Sequence, residues 1–125
     1  MSGNYWQRRR AAFGHAFKGL GDLLYNHPHA KIHAVLSSLV LGLGLFFHFS
    51  QGEWLAVVIC IGLVWSAEAF NTALEYLTDL VSPEYHPLAG KAKDMAAAAV
   101  LCASLAALVV GIVILLPKIW DLLNS

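Results

Sequence analysis

The sequence is short of charge. Asp, Glu, Lys and Arg make up 13% of its 125 residues, against about 25% in soluble domains. Cysteine is nearly absent: Cys60 and Cys102 both fall inside apolar runs, with the spacing of neither a metal site nor a disulfide framework, and read as space-filling thiols. Neither sign of charge is in excess, since eight Lys and Arg balance eight Asp and Glu. Net charge is therefore silent on a nucleic-acid partner, and none is expected. Arg8, Arg9 and Arg10 are not followed by an uninterrupted apolar core, so no cleavable signal peptide is expected. There is no Gly-x-x-x-x-Gly-Lys-Ser/Thr run and no protein-kinase signature, which excludes the conventional nucleotide sites. Repeats and Pro- or Ser-rich linkers are also missing, and the length suits a single domain over 1–125.

What the chain has in excess is apolar surface: 58% hydrophobic residues, against roughly 45–50% in soluble proteins. Three long apolar stretches cover 32–50, 54–67 with a more polar continuation to 80, and 95–116. As helices the first and third are about 28 and 33 Å long, close to the ~30 Å hydrocarbon thickness of a bilayer. An all-α integral membrane protein follows, with spans at about 32–50, 54–80 and 87–117. Ser82-Pro83 stops the second helix and is suited to restart the chain, with Ser82 as a cap and Pro83 in a first helical position.

Ahead of the spans, residues 5–25 place Trp6, Phe13, Phe17, Leu20 and Leu24 at helical spacing, with Arg8, Arg9, Lys18 and Asp22 largely between them. This pattern describes an amphipathic helix lying in the membrane interface, or else an ordinary helix packed on the bundle. Gly14, Gly19 and Gly21 weaken it by about 1 kcal/mol each. Lys and Arg concentrate before the first span (Arg8, Arg9, Arg10, Lys18, Lys31) and between the second and third (Lys91, Lys93). The N-terminus and the second loop are therefore expected to be cytoplasmic and the C-terminus outside.

The chemistry is concentrated on the second helix. Glu68, Asn71, Glu75 and Asp79 follow at intervals of three, four and four and share one face. Three carboxylates in line repel one another, so local stability does not account for them. With Trp54 at one boundary, Glu68 lies about 21 Å along the helix and still inside the hydrocarbon. An ionisable group there is costly and points to function; a hydrogen-bonding residue gluing helices together, or a protonated glutamic acid, is the structural alternative. The loop that follows offers His86, Lys91 and Lys93 to an anion and Glu84 and Asp94 to a metal. Taken alone it reads as a basic cytoplasmic loop before an ordinary helix. At the end of the carboxylate ladder it completes the parts of a phosphoryl-transfer site: carboxylates for a divalent cation, lysines for phosphates, and a base in the lipid layer.

Glu68-Ala-Phe-Asn71-Thr-Ala-Leu-Glu75-Tyr-Leu-Thr-Asp79, followed by Ser82-Pro-Glu-Tyr-His86-Pro-Leu-Ala-Gly-Lys-Ala-Lys93-Asp94, resembles the signature of the prokaryotic diacylglycerol kinase family. The likeness extends from about Arg8 to Leu116. It implies a homotrimeric, three-span inner-membrane enzyme with an N-terminal surface helix, which moves the γ-phosphate of ATP, with Mg²⁺, to a lipid hydroxyl at sites shared between subunits. By position, the resemblance makes Glu68 the general base, Asn71 the residue that orients that base or the hydroxyl, and Glu75 a metal-holding carboxylate. It also implies that Asp79, Glu84, Tyr85, His86, Lys93 and Asp94 contact nucleotide, and that Arg8, His15 and Lys18 line the nucleotide or substrate site.

The chain departs from the pattern at His27, where the family usually carries a second metal-ligating glutamate. Mg²⁺ prefers hard oxygen donors, so His27 is a neutral ligand or nucleotide donor, is replaced in that role by Asp22, or leaves the metal more weakly held. A plain surface histidine is the simpler reading. Ala96–Ala99, Ala103, Ser104, Ala106, Ala107 and Gly111 form a small-residue face for close helix packing. Lys31-Ile-His33 and Ser82-Pro-Glu-Tyr-His-Pro resemble the undecaprenol kinase branch more than the diacylglycerol branch, which makes undecaprenol the favoured lipid alcohol. The rival class is a non-catalytic membrane subunit or proton relay built on the same buried carboxylates; Lys93, Asp94 and Glu75 together have no evident part in it.

Overall fold

Each helix begins on a local signal. The computed structural model describes residues 4–125, which form four helices and, among the described residues, no strand. α1 (Tyr5–Asn26) starts at Asn4, whose side chain accepts from the Gln7 amide at 3.0 Å while the Gln7 side chain accepts from the Asn4 amide at 3.1 Å. This reciprocal cap satisfies two backbone donors that the first turn would otherwise leave open. α2 (Pro28–Phe46) starts on Pro28, a residue whose missing N–H costs nothing in a first turn. His27, held extended by the proline that follows, separates the two helices. α3 (Gln51–Val81) repeats the reciprocal cap with Ser50 and Glu53. α4 (Pro87–Leu123) starts with the His86 ring accepting from the Leu88 amide and with Pro87 in the first turn.

These caps move the helix limits away from those the apolar runs suggest. α2 begins four residues before 32, because Pro28 and a polar first turn carry no hydropathy signal. It stops at Phe46, short of 50: His48 takes a left-handed turn (φ 50°) and Phe49 folds back against Gly44 and Trp54. α4 does not stop at 117 but carries Pro117 inside it and runs to Leu123. At about 1.5 Å per residue α3 and α4 are some 46 and 55 Å long, well beyond a ~30 Å hydrocarbon layer. Three helices, α2, α3 and α4, are long and apolar enough to cross a membrane.

α3 and α4 form an antiparallel hairpin closed by an ion pair at each end. Lys93 Nζ lies 2.5 Å from Asp79 Oδ1 beside the connecting loop, and Lys118 Nζ lies 3.1 Å from Glu53 Oε1 at the far end. Lys118 also sits over the Phe49 ring. α2 packs on α3 with a hydrogen bond from Trp65 Nε1 to Ser37 Oγ at 3.2 Å.

Few large side chains are buried, and the apolar faces of α2, α3 and α4 point outward, as lipid-facing helices require. α1 behaves differently along its length. Residues 5–20 are all exposed, including Trp6 (70%) and Phe17 (71%), whereas Leu23 is 2% exposed against the bundle. The helix is anchored through its last turns only. Its aromatic face is left open, which agrees with an interfacial helix rather than one packed along the bundle.

Candidate active site

Helical spacing sets Glu68 on the carboxylate face of α3, and the structure gives its partner. Glu68 is 4% exposed, with Thr72, one turn on, also buried. His33 on α2 places Nε2 3.0 Å from Glu68 Oε1. The sequence pointed to Glu68 but assigned no role in the site to His33.

One turn along the same face, Asn71 Nδ2 donates to Glu75 Oε1 at 3.1 Å. That bond fixes the amide's orientation, because the flipped form would set two acceptors together. Asn71 Oδ1 is then a buried acceptor with no partner in the protein, a state that ordinarily costs about 1–3 kcal/mol. Two turns further, Asp79 pairs with Lys93. Glu68, Asn71, Glu75 and Asp79 thus form the ladder the sequence implied, and each of the three carboxylates has its own partner.

Beside the ladder, α1 and α3 are joined by a second polar cluster. The Tyr76 hydroxyl donates to Asp22 Oδ2 at 2.6 Å, and Asn26 Nδ2 donates to Asp22 Oδ1 at 2.6 Å. His27 Nε2 lies 3.0 Å from the same hydroxyl. Since Tyr76 gives its proton to Asp22, His27 must be the donor to Tyr76, so its Nε2 carries hydrogen rather than a lone pair free for a metal. The bonds from Tyr76 and Asn26, helped by the nearby His27, hold the Asp22 carboxyl below the ordinary carboxylate range against a smaller opposing effect of burial. His27 and Asp22, the two alternatives to the missing glutamate, share this network, which leaves His27 a lone pair on Nδ1 only.

The remaining sequence-derived residues fall on two elements, the α3–α4 loop with the start of α4, and α1. His86 Nδ1 accepts from the Leu88 amide at 3.2 Å, which assigns the imidazole proton to Nε2 when the ring is neutral. Ser82 Oγ donates to the Glu84 carbonyl at 2.9 Å, while Glu84, Tyr85 and Asp94 are exposed. Arg8, His15 and Lys18 lie on the exposed stretch of α1. His15 and Lys18 make no hydrogen bond or ion pair among the described residues.

From His33 an apolar cleft of about 420 Å³ runs between α2, α3 and α4 away from the loop end, lined by Ser37, Val57, Val64, Ser104 and Gly111 among others. Its walls are apolar apart from a few short polar groups; Ser104 Oγ, one of them, is buried without a partner. A hydrocarbon-lined cleft whose wall includes the partner of a buried carboxylate suits a substrate with an alkyl or prenyl body and a polar end.

Residues 14–115 match the family described as prokaryotic diacylglycerol kinase. The chain is 35% identical over 108 residues to the undecaprenol kinase of Bacillus subtilis, covering 86% of this chain and 88% of that protein. It is 34% identical over 124 residues to a diacylglycerol kinase of Synechocystis, covering 96% and 71%. It is 30% identical over 104 residues to that of Escherichia coli K12, covering 83% and 85%. With three helices able to span a membrane and a match over most of its length, the chain belongs to the prokaryotic diacylglycerol kinase family and is an ATP-dependent lipid kinase.

Proposed function

We propose that this kinase phosphorylates undecaprenol in preference to diacylglycerol, with Glu68 as general base. The observation that carries the reading is the Glu68 carboxylate, buried among the spanning helices and paired with His33, a residue of the apolar cleft's wall. The lipid hydroxyl gives its proton to Glu68 as its oxygen forms a bond to the γ-phosphorus. The bond from that phosphorus to the β,γ-bridging oxygen breaks, and ADP leaves with the electron pair. Asn71 orients the reacting hydroxyl. Asp79, Glu84, Tyr85, His86, Lys93 and Asp94 hold the nucleotide at the loop end, joined by Arg8, His15 and Lys18 of α1. The Bacillus subtilis relative, which matches over most of both chains, is named for undecaprenol.

The donors fit magnesium. Glu75 and the unpartnered Asn71 Oδ1 are hard oxygens one turn apart, and Mg²⁺ is commonly held by one or two carboxylates together with substrate phosphates. Among the described residues no cluster of three or more His, Cys, Asp or Glu is assembled, so the phosphates complete the set. When bound, the ion neutralises charge on the β- and γ-phosphates. His27, with Nε2 hydrogen-bonded to Tyr76, is the weaker candidate ligand.

The N-terminus and the α3–α4 loop face the cytoplasm, the C-terminus lies outside, and the enzyme works as a homotrimer with sites shared between subunits. The outward-facing apolar helices and the lone His15 and Lys18 support a site completed by a neighbour. The test is phosphate transfer in micelles from radiolabelled ATP, with Mg²⁺, to undecaprenol and to diacylglycerol. Undecaprenyl phosphate should form faster; the reverse order removes the substrate assignment, and no lipid phosphate from either removes the kinase chemistry.

A further inference from the structure

We infer that His33 is the positioning residue of the catalytic carboxylate, holding Glu68 Oε1 through Nε2 so that Oε2 is turned to the lipid hydroxyl. The inference rests on the assignment of Glu68 as the base.

The ladder supplies the argument. A carboxylate removed from water needs donors, or it reverts to the neutral acid and ceases to be a base. Asn71 serves Glu75 and Lys93 serves Asp79, each from the loop-proximal part of the face. Neither reaches Glu68, whose partner comes from another helix: His33, at 3.0 Å and itself largely buried. α4 brings no charged side chain to the cleft that His33 lines. The imidazole therefore links the carboxylate and the cleft, with one edge on Glu68 Oε1 and the ring forming part of the cleft wall.

Placement on α2 makes this a held geometry rather than a chance contact. Ser37, one turn beyond His33, accepts from Trp65 Nε1, and Trp65 lies one turn before Glu68 on α3. Two hydrogen bonds on successive turns fix the register of α2 against α3. A base whose orientation is fixed before the substrate arrives does not have to be ordered in the transition state. His33 touches neither reacting atom, so its loss should appear in turnover rather than in binding.

The test compares a donor-free side chain with one that keeps a donor at nearly the same point. His33→Met should lower kcat roughly tenfold or more while KM for ATP and lipid stays within about twofold. His33→Gln, whose amide nitrogen falls near the position of Nε2, should recover most of the lost turnover. Should the Met variant fail to assemble, histidine methylated on Nε2, incorporated at position 33, keeps the ring and removes the bond; it should show the same fall in kcat. The inference is overturned by unchanged kcat in the donor-free proteins, by a Gln variant as impaired as the Met variant, or by a loss confined to lipid KM. Glu68→Gln, measured in parallel, separates the two assignments. An inactive Glu68→Gln with a normal His33→Met removes only the role of His33, whereas an active Glu68→Gln removes the base itself.

Discussion

The phenol of Tyr76 and the carboxylate of Asp22 meet at 2.6 Å across the junction of α1 and α3. With Leu23 buried beside it, this bond is the main polar tie between the surface helix and the bundle. Because Asp22 is held below the ordinary carboxylate range, the tie is complete above the unfolded value of about 4. It is lost as pH falls through the lower, folded value. Tyr76→Phe removes the larger cause and should move release of α1 to higher pH. A fluorophore on α1, read for mobility across an acid titration, checks this; identical curves for variant and parent would show that Asp22 does not govern the attachment.

Glu68→Gln should abolish lipid phosphorylation, with a loss on the order of 10²–10⁴ in kcat if proton removal is its contribution. The variant should still assemble, because the amide oxygen can accept from His33 as Oε1 does. Turnover and size-exclusion profile, measured on one preparation, test both halves. Near-normal turnover would mean that another group takes the hydroxyl proton.

Lys93 and Asp79 form an exposed ion pair at the loop end of the hairpin, and such pairs contribute about 0–1 kcal/mol to stability. Lys93→Met should therefore leave the thermal midpoint nearly unchanged. As a phosphate-binding group Lys93 is worth more, since a hydrogen bond to a charged group contributes about 1.5–3 kcal/mol. KM for ATP should rise by roughly ten- to a hundredfold with lipid KM unaltered. A large fall in stability with unchanged KM for ATP would make the pair structural instead.

His27→Glu restores a carboxylate where the family usually carries one, at the cost of the donor to Tyr76. If the position faces the metal, activation by Mg²⁺ should move to lower concentration. An unchanged titration with normal kcat would assign His27 to the α1–α3 junction alone.

The ladder on α3 was legible because helical spacing alone decides which residues share a face. Its partner on α2 was not, since the crossing register of two helices is contained in neither helix's periodicity. A signal did exist: His33, Ser37 and Gly44 fall on one face of α2, and that face is the one turned to α3. Helix ends depart from the apolar runs wherever hydropathy and capping disagree. Pro28 and the Ser50–Glu53 cap start helices before the apolar runs begin, and Pro117 does not end α4. The missing His27 carboxylate was visible at once, but its occupation by Tyr76 depends on a contact between residues 49 positions apart.

Gly42 and Gly44 offer a paired test of the packing at the opposite end from the site. A methyl at Gly42 meets nothing within 4 Å, whereas one at Gly44 would fall 2.6 Å from Trp54 Cη2 and 2.9 Å from Phe49 Cδ2. Gly42→Ala should be neutral or gain up to about 1 kcal/mol, from helix propensity alone. Gly44→Ala must push apart two rings that pack at 5.5 Å between centroids. Phe49, one of them, is buried and sits under Lys118, so the strain passes to the Lys118–Glu53 pair that closes α3 on α4. A net loss of about 1–3 kcal/mol is expected for this overpacking. Reversible unfolding in mixed micelles distinguishes the two variants, and equal stability would show that the Trp54 ring swings aside freely. Because His33 and Glu68 lie about three and four turns away from this packing on α2 and α3 respectively, turnover of assembled Gly44→Ala should remain close to that of the parent.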